Sequence, residues 1–131
     1  MFAELLSKNE KILFGVLAKE VIVTDKVIKD EEKQYLSDLE KIIGQIDKEI
    51  SFEKSVEELA KLDNAKKRAI ITELLIIAKC DKNYAEEEKV LIKKINTSFG
   101  IPEEIFNRMD TWSDSYLKLI IEGNKMIEVD L

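Results

Sequence analysis

Apolar residues recur at three- and four-residue spacing along almost the whole chain, in runs separated by short polar breaks. Each run reads as an amphipathic helix. Phe2, Leu5 and Leu6 form a first short patch. Ser7 then stands three residues ahead of Glu10, a pairing that caps a helix start from both directions. A second helix follows, its wide apolar face built from Leu13, Phe14, Val16, Leu17, Val21 and Ile22, with an expected end near Thr24. Leu36, Leu39, Ile43 and Ile46 mark a third. Ser51 is positioned to cap a fourth that carries Phe52, Val56, Leu59 and Ala60, and Asp63 or Asn64 to cap a fifth. The fifth, with Ile70, Ile71, Leu74, Leu75, Ile77 and Ala78, is apolar nearly all the way round and is predicted to be central. Leu91, Ile92, Ile95 and Phe99 define a sixth, closed by Gly100. Pro102 suits the first turn of a seventh, with Glu103 and Glu104 at the positive end of its dipole and Ile105, Phe106 and Met109 inward. An eighth is expected from about Asp114 to Glu122, stopping at Gly123-Asn124.

The composition supports helices alone. One Pro and four Gly in 131 residues are too few for the turns of a multi-stranded fold, and 45% hydrophobic residues suffice for one core. The expectation is an all-α single domain over residues 1–131, a bundle of about seven to eight helices. An internal repeat sharpens it. Laying Asp25 on Asp81, a shift of 81 − 25 = 56 positions, matches Asp25/Asp81, Lys26/Lys82, Glu31/Glu87, Glu32/Glu88, Lys33/Lys89 and Gly44/Gly100 without a gap. Core positions match too: Ile28 with Tyr84, Leu36 with Ile92, Leu39 with Ile95 and Ile43 with Phe99. Two helix–Asp loop–helix repeats, roughly residues 11–50 and 67–106, are predicted to pack about an approximate two-fold axis.

Charge and chemistry narrow the function. A net charge of −6 disfavours a nucleic-acid backbone or an anionic membrane surface as partner. The chain has no histidine and one cysteine, Cys80, which excludes an intrachain disulfide, the common Cys/His zinc sites and His-based triads. No Gly-rich phosphate loop is present, so no enzyme is expected. The first twenty residues break their apolar positions with charges, unlike a secretory segment, and the longest apolar run, Ala69 to Ala78, is too short to span a bilayer. A cytoplasmic protein without membrane insertion is the expectation.

The stretch Ala78-x-x-Asp81-x-x-Tyr84-x-x-x-Glu88, closing on Phe99-Gly100-Ile101, resembles the signature of the TerB-like tellurite-resistance family, and Asp25-x-x-Ile28-x-x-x-Glu32 fits the same pattern. The resemblance extends from about Lys11 to Phe106. Where the family usually places Gly after the Asp, this chain has Lys26 and Lys82. The resemblance implies an all-helical fold of two-part arrangement and a non-catalytic protein-interaction module in bacterial stress responses. It also implies acidic residues suspected of metal association.

Two readings of the carboxylates stand side by side. Asp25 with Glu32, and Asp81 with Glu88, supply oxygens of the kind calcium, magnesium or manganese takes, which would make the chain a divalent-cation sensor or buffer. With Lys29 and Ala85 as N-caps, Glu32 and Glu88 fall at the third helical position, where a carboxylate satisfies free backbone N–H groups. The loops are not EF-hands, because Ile92 occupies the place of the bidentate Glu. Three further features carry weaker signals. Cys80 beside Asp81 reads as an inert thiol. Lys66-Lys67-Arg68 in a helix's first turn reads as a solvated face or an anion contact. Trp112 with Phe106 and Met109 reads as core or as an aromatic patch for an unidentified protein partner.

Overall fold

Helix starts are where this sequence speaks most directly, and a computed structural model, which describes residues 2–24, 34, 37–38, 50–80 and 84–128, follows them closely. After a 3₁₀ helix at Phe2–Leu5, helix α1 (Lys8–Val23) begins at Ser7. The Ser7 hydroxyl accepts the Glu10 N–H at 3.2 Å and the Glu10 carboxylate accepts the Ser7 N–H at 2.8 Å, so two orphan donors are satisfied at once. Helix α2 (Phe52–Leu59) is capped by Ser51, whose hydroxyl accepts the Lys54 N–H, and α3 (Asn64–Lys79) by Asp63, whose carboxylate accepts the Lys66 N–H. Helix α4 (Glu86–Ser98) ends in a Schellman turn. Gly100 takes φ +71°, and the N–H groups of Gly100 and Ile101 reach back to the carbonyls of Thr97 and Asn96. Helix α5 (Glu103–Glu128) follows directly after Pro102.

The described residues therefore hold five α-helices, all of the architecture is helical, and the expected count of seven to eight is corrected. The expected third helix lies outside the described residues apart from isolated positions. The first patch is one 3₁₀ turn. The expected seventh and eighth helices are one continuous helix of 26 residues. Nothing between Thr111 and Ser113 breaks it, because the Ser113 and Ser115 hydroxyls bond carbonyls of the preceding turn, at Asp110 and Thr111, and so stay inside the helix. Gly123 does not end it either. A glycine within a helix costs only about 1 kcal/mol relative to alanine, too little to stop a helix unaided.

The two-repeat architecture is also corrected. Both Asp25 and Asp81 lie outside the described residues, and the helices that would correspond, α1 and α3, have different surroundings. Helix α1 packs chiefly on α2, whereas α3 packs on α5, α1, α4 and the 3₁₀ helix. Every residue of α3 from Ala69 to Lys79 is buried, against six in α1. The sequence match records a shared helix-start chemistry and shared helical spacing. Neither requires the two halves to be buried alike. One hydrophobic cluster joins α1 (Phe14, Leu17, Val21), α2 (Leu59), α3 (Ile70, Leu74, Ile77), α4 (Ile92, Ile95) and Phe106 of α5.

The asymmetry is sharpest at Lys79, whose counterpart by the 56-residue shift is Val23. The Lys79 side chain is only 7% exposed. Its ammonium donates to the Asp110 carboxylate, to the Asp110 carbonyl at 2.9 Å and to the Ser113 hydroxyl at 2.8 Å, and it pairs with Asp114 at 2.9 Å. This node pins the middle of α5 onto the end of α3. Among the described residues no helix is long and apolar enough to cross a membrane.

Replacing Lys79 by Met leaves the carboxylates of Asp110 and Asp114 beside each other without their cation. Urea denaturation of Lys79→Met should show a loss of about 3 kcal/mol, and adding Asp110→Asn should recover at least about 1 kcal/mol of it. Additive losses in the double variant would remove the ion pair from the account.

Candidate functional site

Of the four residues expected to form an ion site, Asp25, Glu32 and Asp81 lie outside the described residues, and Glu88 is within them. Ala85 is the N-cap of α4 and Glu88 stands at its third position. The Glu88 carboxylate, 1% exposed, accepts the Ala85 N–H at 3.2 Å. Alanine has no oxygen to return, so the helix start is secured from the glutamate side alone, with Glu86 and Glu87 adding charge favoured by the dipole. Among the described residues no group of three or more potential ligands gathers closely enough to hold a metal ion.

Around this helix start sits a residue that the sequence reading named in the motif without giving it a role, Tyr84. Two ammonium groups, those of Lys79 and Lys89, lie over the Tyr84 ring, each 5.2 Å from its centroid. Burial, aided by the negative charges of Asp110, Glu88, Asp114 and Glu86, pushes the Tyr84 phenol far above its ordinary range. A small cleft of about 400 Å³ opens beside it, lined by Lys79, Tyr84, Asp114, Leu117 and Ile121 among others. The only sequence signal for this node was a lysine at the end of an apolar run facing two aspartates four apart. Its partners are 31 to 35 positions away, beyond the reach of any local pattern.

The basic cluster divides into three roles. Lys66 donates to both Glu10 oxygens, at 2.9 and 3.3 Å, tying the start of α3 to the capping box of α1. That contact holds the Glu10 carboxyl below its usual range and raises Lys66. Lys67 donates to the Phe99 carbonyl at 2.9 Å, closing the end of α4. The solvated-face reading therefore fails for these two. Only Arg68 turns to a surface feature, a groove of about 1030 Å³ between α3 and α5. Cys80 sits half-buried at the C-cap of α3.

The groove forms because α3 presents small residues there, Ala65, Ala69 and Thr72, while α5 presents large ones, Ile105, Met109 and Trp112, so the two helices leave a trough where they face outward. Leu5 and Trp112 flank it, 56% and 43% exposed, and the Trp112 ring stacks on Tyr116 with centroids 5.3 Å apart. Phe106 is core, as expected; Trp112 is not. Arg68 and Arg108, the only two arginines of the chain, both line the groove, with Glu104 as its acidic member. Among the described residues neither arginine makes an ion pair.

Among the described residues the arrangement offers an apolar trough with cationic edges. Neither the curated proteins nor the solved structures yield a match. A family profile does, that of Tellurite resistance protein TerB, over residues 16–111, from the middle of α1 to the middle of α5. With well over half of its length matched, the chain belongs to the TerB family, a non-catalytic family associated with stress resistance.

Proposed function

We propose that the protein is a non-catalytic interaction module of the TerB type, acting in the cytoplasm in a bacterial stress response, and that the groove between α3 and α5 is its docking face. The observation that supports this is the groove itself. An apolar trough edged by two arginines and by a tryptophan 43% exposed has the composition of an interface centre, where Trp and Arg dominate binding energy. Capture from native cells with the wild-type chain should yield a stoichiometric partner that Trp112→Ala loses. Capture of none, or equal capture by the variant, counts against the groove as docking face.

The second reading, a divalent-cation sensor or buffer built on Asp25, Glu32, Asp81 and Glu88, is favoured by one feature: a carboxylate 1% exposed at the helix that follows the second acidic loop. Helix capping accounts for one of its oxygens. Titration with calcium, magnesium or manganese, followed by backbone amide shifts, should give saturable changes confined to residues 25–32 and 81–88. Asp81→Asn with Glu88→Gln should abolish them; a flat response removes this reading.

A further inference from the structure

Helix α5 carries more apolar surface than the other described residues cover. Ile105, Met109, Trp112, Tyr116, Leu119, Gly123 and Met126 follow one another at alternating spacings of four and three, the seven-residue pattern that seats a second helix. The first three line the groove. The rest run on past it, where Leu119 is 65% and Met126 70% exposed, with Ile120 and Ile127 beside them at 44% and 84%. From Trp112 to Met126 the stripe rises about 21 Å, nearly four turns. One helix thus bears both a trough and an apolar arm of the kind that fills troughs.

A surface that holds both halves of a contact is self-complementary, and two copies related by a two-fold axis satisfy both at once. We propose that the groove is filled by the C-terminal arm of α5 from a second copy of this chain, the two α5 helices running antiparallel with Ser115 opposite its own copy. This rests on the groove being a docking face, and on no second kind of protein.

The register is fixed by three features of the sequence. Arg108 stands seven positions before Ser115 and Glu122 seven after it, on the same edge of the stripe, so each arginine meets the other copy's Glu122. In the stripe itself the facing positions centre one residue earlier, on the level of Asp114, because core layers and edge contacts of an antiparallel pair are offset, and this sets Met109 against Leu119 and Trp112 against Tyr116. It also sets Ile105 against Gly123, the one position of the stripe without a side chain. Within one chain a Cβ at Gly123 would meet nothing within 4 Å, so internal packing gives no reason for a glycine there. A facing Ile105 does. Arg68 adds a second cation on the groove wall, and Glu104 opposes it. Glu122 and Glu128 are exposed on the arm, and Glu122 also borders the cleft beside Tyr84 together with Lys118 and Lys125.

Sedimentation equilibrium of the full chain over a wide concentration range tests the pair. The mass should climb from 15.1 kDa towards twice that value. Arg108→Glu and Glu122→Arg, both at exposed positions, should each move the midpoint to about tenfold higher concentration, and the two together should restore it. A monomer at every concentration, or a dimer indifferent to both reversals, overturns the proposal. A monomer that still captures a partner through Trp112 overturns the pair and leaves the interaction module standing. A charge-reversible dimer without any captured partner supports the pair and removes the other reading.

Discussion

An ammonium group with 7% of its side chain exposed must be neutralised within the fold, and meeting that demand at Lys79 decides where α5 lies. The partners that suit it, Asp110, Ser113 and Asp114, occupy one face of α5 and hold that helix to the end of α3. The groove follows from this placement. With the middle of α5 fixed at Lys79, the small residues Ala65, Ala69 and Thr72 face the large ones of α5 across a gap instead of meeting them. Tyr84 is drawn into the same node, with the Lys79 and Lys89 ammonium groups each 5.2 Å from its ring centroid.

Helix α5 is unusual for serving two environments. Phe106 and Ser113 are buried against the body of the protein, while Leu119, Met126 and Ile127 are left largely exposed. Large apolar side chains clustered at one end of a helix, and continuous with a trough lined by Trp112, are what a contact surface looks like before it is covered. The chemistry around Glu88 is of another kind. Its carboxylate sits deep at a helix start and does there what a third-position glutamate does in any helix, so Glu88 has a structural use in this chain whether or not an ion joins it.

Among the described residues, the sequence by itself determined the starts of α1 to α5 and the end of α4. Ser7, Ser51, Asp63, Ala85 and Gly100 mark boundaries through bonds made within three or four residues, and such bonds depend only on local spacing. The central place of α3 was legible for a similar reason, since a helix apolar on all sides must be buried on all sides. The family, too, could be read from a short motif. Tertiary structure alone decided the rest. Whether Thr111 to Ser113 broke a helix depended on hydroxyls finding carbonyls, and whether the repeated halves matched in space depended on burial that charged helix starts do not encode. Lys67 looked like part of a solvated cluster until its ammonium reached the Phe99 carbonyl 32 residues away. Lys79 and its aspartates, and the groove between Ala69 and Trp112, are likewise products of packing between distant segments, where the energies are set by which residues meet and not by how they are spaced along the chain.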